Sequence, residues 1–128
     1  MAAKPETRFI ARVHKKLDKE VYREKTNNPY RGGTPDCYYE GPLDICWVEY
    51  KYLQRIPGVV DVRKLLSDLQ YRWLDRATTN NKTTLVIVGC DGGGAILRHI
   101  TPPLSKDDFI KRVIPVQSIA DAIKLRVL

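Results

Sequence analysis

The chain has 128 residues, 43% hydrophobic and 29% charged, with a formal net charge of +7, a size that suits one domain over residues 1–128 and leaves no room for two. It has no repeated or biased tract, no apolar run near the ~20 residues that span a bilayer, and no apolar stretch behind its basic N-terminus of the kind a secretory signal needs. Its three cysteines are an odd number without a pairing pattern, which argues against a disulfide framework and for a reducing, cytoplasmic setting with no membrane partner.

Pro5 suits the first turn of a helix, and Phe9, Ile10, Val13 and Leu17 follow at helical spacing, so a helix is predicted over residues 5–22. Thr26-Asn27-Asn28-Pro29 and Arg31-Gly32-Gly33-Thr34 then break regular structure. Two β-prone runs, Cys37-Tyr38-Tyr39 and Ile45-Cys46-Trp47-Val48, flank Gly41-Pro42 and read as a hairpin. Beyond Pro57-Gly58, Val62, Leu65, Leu66, Leu69, Trp73 and Leu74 form one stripe, predicting a helix over 61–77. Residues 84–89 read as a buried strand, Asp91-Gly92-Gly93-Gly94 as a turn and 95–99 as a returning strand. Ser105-Lys106-Asp107-Asp108 has the form of a helix start, and residues 118–127 make a last short helix. The expected fold class is α/β (α+β), a central mixed sheet flanked by helices in the order α-β-β-α-β-β-α-α.

Charge is unevenly spread. Residues 1–31 carry nine Lys and Arg against four Asp and Glu, whereas residues 32–60 carry two against four. Cations to meet phosphates, together with a local acidic segment able to hold a metal, are what metal-assisted phosphate chemistry requires. The hairpin sharpens this. If residues 41–44 form its loop, Glu40 faces Ile45 and Asp36 falls opposite Glu49, with Cβ atoms about 4.5–5.5 Å apart, and Lys51 shares that face. Two such carboxylates repel unless a cation lies between them. Mg²⁺ favours oxygen ligands and works on phosphates. Lys51 would stand beside it, orienting a water or offsetting charge at the phosphate.

Pro35-Asp36, followed after twelve residues by Glu49-Tyr50-Lys51, resembles the motif of the PD-(D/E)XK nucleases, and more closely their small VRR-NUC branch, which includes stand-alone phage-type enzymes. Pro5-Glu6-Thr7-Arg8-Phe9 resembles that branch's first helix, whose glutamate joins the metal site. Leu66-Ser67-Asp68-Leu69-Gln70-Tyr71-Arg72-Trp73-Leu74 resembles its later helix, whose glutamine points to the same site. The likeness covers residues 5–90. Where the branch carries Val-Arg-Arg, this chain has Ile96-Leu97-Arg98-His99. The resemblance implies a restriction-endonuclease-like core and an Mg²⁺- or Mn²⁺-dependent endodeoxyribonuclease. Its catalytic set would be Asp36, Glu49, Lys51, Glu6 and Gln70, and its metal ligands Asp36, Glu49, Glu6 and the carbonyl of Tyr50. Arg8, Arg12, Lys15, Lys16 and Arg31 would hold the DNA backbone. Stand-alone enzymes of this kind are often homodimers that cut both strands of branched DNA, so the expected role is that of a Holliday junction resolvase, in the host cytoplasm if phage-encoded. The alternatives are a nicking or flap-type nuclease and a nuclease-like domain that binds without cutting.

Several residues carry a second reading. Glu6 lies three, four and seven residues before Phe9, Ile10 and Val13 and so on an inward face, yet a first-turn acid is also favoured by the helix dipole. Gln70 shares the stripe of Leu66, Trp73 and Leu74 and fits a core-edge amide as well as a site residue. Asp44, the rival acid to Asp36, suits the turn. Residues 89–94 lack the Lys-Ser/Thr of a phosphate loop, and Cys37, Cys46, Cys90, His14 and His99 lack zinc spacing. Tyr38, Tyr39, Tyr50 and Tyr52 suit either sheet packing or base stacking.

Overall fold

The computed structural model describes residues 3–26 and 32–128. Its elements are α1 (Pro5–Lys16), β1 (Tyr22–Lys25), β2 (Cys37–Glu40), β3 (Ile45–Tyr52), β4 (Val59–Val60), α2 (Val62–Leu65), α3 (Asp68–Thr79), β5 (Thr83–Cys90), β6 (Gly93–Leu97), β7 (Leu104–Ser105), α4 (Lys106–Arg112) and α5 (Val116–Val127). Five strands form a mixed sheet in the order β1-β2-β3-β5-β6, parallel between β3 and β5 and antiparallel elsewhere. A small ribbon pairs β4 with β7. The expected sheet flanked by helices is present.

β5 is buried along nearly its whole length, and its residues alternate between two cores, as a central strand covered on both faces must. Leu85 and Ile87 join Phe9, Ile10 and Val13 of α1 and Ile119 and Ile123 of α5. Val86, Val88 and Cys90 join Leu66, Leu74 and Phe109 on the other face. On β3, Cys46, Val48 and Tyr50 belong to the first core. Trp47, Glu49 and Lys51 therefore face α3. The three cysteines are free and buried.

Several elements depart from expectation. The β4–β7 ribbon was not expected, and β6 begins at Gly93, inside the expected turn, and ends at Leu97. The first helix stops at Lys16, and Tyr22–Lys25 is an edge strand. Leu17 and Val21 are both buried, four residues apart, which mimics a helix. Between them Asp18 makes a turn, its side chain accepting from the Glu20 amide at 3.0 Å and its carbonyl from the Val21 amide at 3.1 Å. Arg23 then donates to the carbonyls of His14 and Asp18 at 2.7 and 2.8 Å and so closes the helix end. The second helix is two helices. Ser67 interrupts it with a capping box, Ser67 Oγ accepting from the Gln70 amide and Gln70 Oε1 from the Ser67 amide. The last helix begins at Val116, two residues before expectation.

Candidate active site

The hairpin has the register read from its loop: Glu40 pairs with Ile45, Tyr39 with Cys46, Tyr38 with Trp47 and Cys37 with Val48. Asp36, one residue before β2, lies next in this register toward Glu49, and its Oδ2 accepts from the Tyr50 amide at 2.8 Å. Glu49 is 2% exposed. Its Oε2 accepts from Gln70 Nε2 at 3.1 Å and lies 3.5 Å from Lys51 Nζ. Lys51 Nζ in turn donates to Gln70 Oε1 at 3.1 Å. Asp36, Glu49, Lys51 and Gln70 thus meet at one end of the sheet. Gln70 caps α3 and also contacts the two charged groups.

Glu6 faces this group from the start of α1. A cleft of about 290 Å³ lies between Glu6 and Asp36, lined also by Thr7, Ile10, Lys25, Thr26 and Cys37. All three carboxyls are driven toward the protonated form. Glu49 is pushed up to about 8, first by burial and then by the charge of Asp36. Burial raises Asp36, against the opposing Tyr50 amide. Burial and then Asp36 raise Glu6. Among the described residues no three acidic, histidine or cysteine side chains converge closely enough to form a ready-made metal cage. The donor set nevertheless fits a hard cation. Glu49 Oε1 is buried without a hydrogen-bond partner, a costly state for a carboxylate oxygen that a cation would relieve.

The other expected residues are placed as follows. Tyr50 turns its ring into the core, where its hydroxyl meets that of Tyr39 at 2.7 Å and Tyr39 meets His14 Nε2 at 2.7 Å. Arg8, Arg12, Lys15 and Lys16 are exposed on α1. At ~1.5 Å per residue, Lys16 is about 15 Å along the helix axis from Glu6, so these cations form a trail leading away from the carboxylates. Arg31 lies outside the described residues. Asp44 serves the turn, its carboxylate accepting from the Ile45 amide at 2.7 Å and from the Thr83 hydroxyl.

Two contributors escaped the sequence reading. Lys25 lines the cleft and opposes the rise in Asp36; as the last residue of an unexpected strand, it gave no signal. Ser67 fixes Gln70, and here a signal existed, since Ser67-x-x-Gln70 has the spacing of a capping box.

Comparison with known proteins gives one kind of match. No protein-family model matches the chain, and no curated protein does. Among solved structures, it is similar to Hjc of Archaeoglobus fulgidus, a Holliday junction resolvase from an archaeal hyperthermophile, with a TM-score of 0.57 and 11% identity over 90% of this chain and 96% of that one. At that identity the likeness is one of fold: a restriction-endonuclease-like mixed sheet flanked by helices. Among the described residues, no helix is long and apolar enough to cross a membrane.

Proposed function

We propose that the protein is a divalent-metal-dependent endodeoxyribonuclease of the PD-(D/E)XK type, resembling the stand-alone VRR-NUC branch, that cuts branched DNA as a Holliday junction resolvase does. The observation that carries this reading is the buried, unpartnered Oε1 of Glu49 beside Asp36, with Lys51 3.5 Å from the other oxygen. Asp36, Glu49, Glu6 and the carbonyl of Tyr50 would hold Mg²⁺ or Mn²⁺. When bound, the ion supplies a Lewis acid for the phosphate and offsets the carboxylate charges. Lys51, held by Gln70, orients the attacking water and offsets charge that develops on the phosphate. Arg8, Arg12, Lys15, Lys16 and Arg31 hold the DNA backbone, which confers affinity without sequence reading and so suits a substrate known by its shape. The fold shared with a resolvase supports the branched substrate, and a homodimer would offer one such site to each of two strands.

The test is cleavage of labelled linear, flap and four-way DNA with Mg²⁺ and with EDTA, with Glu49→Gln as control. Metal-dependent cutting of the four-way junction in preference to linear duplex is expected. Binding of the junction with no cutting in either condition would make the domain a binding module and sink the proposal.

A further inference from the structure

The helices of the α3 side cover only part of the sheet. The core on that face draws on β5 and β6 and contains no residue of β1 or β2. The uncovered part carries a row of aromatic rings. Tyr38 lies 4.8 Å from Trp47 between ring centroids, and Trp47 lies 5.0 Å from Trp73 of α3. All three are only partly buried. Tyr38 and Trp47 are paired across β2 and β3, each two residues from a carboxylate, Asp36 and Glu49 respectively. Two residues of strand are about 7 Å, so the row begins one short step from the candidate active site, on the same face.

We propose that this row is a stacking platform for unpaired nucleobases, with its seat in the groove beside the packed pair of Trp47 and Trp73. The groove has a volume of about 210 Å³ and is lined by Trp47, Trp73, Arg76, Ala77, Asn80 and Lys82. Its chemistry matches a nucleotide part by part. Two indole rings offer stacking faces, the Asn80 amide offers a donor and an acceptor to a base edge, and Arg76 and Lys82 offer charge to the phosphates on either side. Arg76 already sits 5.3 Å above the Trp73 ring. The opposite end of the row is acidic: Tyr22, 6.2 Å from Tyr38, donates to Glu24 at 2.7 Å, and Glu40 is exposed beside it. Phosphates are repelled there, so the strand runs from the carboxylates toward Trp73 and Lys82. This inference rests on the nucleic-acid reading above and adds the substrate class: DNA with single-stranded or unpaired nucleotides next to the cut.

The chain has only two tryptophans, and both are in the groove, so intrinsic fluorescence reports on it directly. The full chain in EDTA is titrated with oligothymidylate and with a blunt duplex of equal length. Oligothymidylate should quench the fluorescence and the duplex should not. Trp73→Leu and Tyr38→Leu should each weaken oligothymidylate binding by about 5- to 150-fold, the range expected for one lost stack, while duplex binding stays unchanged and Trp73→Tyr restores most of the loss. Absence of quenching in the wild type, or equal weakening for both ligands, overturns the platform. So does quenching that follows protein concentration alone and vanishes with dimer dissociation in Trp73→Leu, because the face then covers a second copy. Metal-dependent cleavage without quenching overturns the platform alone. Quenching without cleavage of any substrate overturns the nuclease reading and leaves the platform.

Discussion

The side-chain amide of Gln70 donates to Oε2 of Glu49 at 3.1 Å across the gap between α3 and β3. The same amide's oxygen accepts from Lys51 Nζ at 3.1 Å and from the Ser67 amide at 2.9 Å. One side chain therefore ties a helix cap to both charged groups of the Glu-x-Lys motif. Gln70→Ala should lower stability by about 1 kcal/mol, the usual net worth of a lost hydrogen bond, because the Ser67 amide loses its acceptor while Ser67 still caps the helix, and it should also lower cleavage. Gln70→Glu should keep the cap, because glutamate suits that position equally, yet still lower cleavage by placing a further carboxyl against Glu49. Melting curves and cleavage rates of both variants check this; a Gln70→Glu protein with full activity would reduce the residue to a cap.

Lys51 is 3.5 Å from Glu49 and hydrogen-bonded to Gln70, so its ammonium is positioned before substrate arrives. Lys51→Ala should lower the cleavage rate by about 10²- to 10³-fold, as loss of one preorganised donor does, with DNA affinity nearly unchanged. Equal losses in affinity and rate, measured by anisotropy and gel assay, would make Lys51 a phosphate anchor instead.

Above pH 8, where Glu49 is ionised as well, Asp36→Asn removes one of two facing charges at almost constant volume, and the amide oxygen can still accept from the Tyr50 amide. The metal-free variant should be slightly more stable than the wild type. Mg²⁺ should raise the melting temperature of the wild type by mass action and that of the variant far less. A variant that gains as much from Mg²⁺ as the wild type would remove Asp36 from the ligand set.

Glu49 also sets a pH dependence. Its folded-state value of about 8 lies above the ordinary 4.5, so the folded protein holds a proton that the unfolded chain has released. The contribution is fully present below about pH 4.5 and is lost as pH rises through 8. Asp36 and Glu6, also raised, act in the same direction. With EDTA, the melting temperature should fall between pH 6 and pH 9, and Glu49→Gln should flatten that fall. Mg²⁺ must displace the same proton, so its affinity should rise over this window. A melting temperature indifferent to pH in the wild type would show Glu49 already ionised.

The cations of α1 should govern salt dependence. Replacing Arg12 and Lys16 with Ala should flatten the plot of log affinity against log salt by about two contacts' worth of slope. An unchanged slope would place the DNA backbone on another face.

The sequence by itself determined the hairpin, and a four-residue loop over 41–44 gives the register that the pairing of Glu40 with Ile45 shows. Side chains alternate along a strand, so in that register Asp36, Glu49 and Lys51 share a face. The apolar run of β5 was equally legible, because it depends on a local period; the stripe over 61–77 was less so, since Ser67 divides it and Leu69 is exposed. β1 was not, because Leu17 and Val21 keep helical spacing across a turn that Asp18 and Arg23 create. Only the tertiary structure decided which partners meet. The parallel pairing of β3 with β5, the reach of Gln70 to Glu49 and Lys51, the place of Glu6 across the cleft and the contact of Trp47 with Trp73 all join segments distant in the chain. Such contacts follow from how helices settle on the sheet, which a local pattern does not encode.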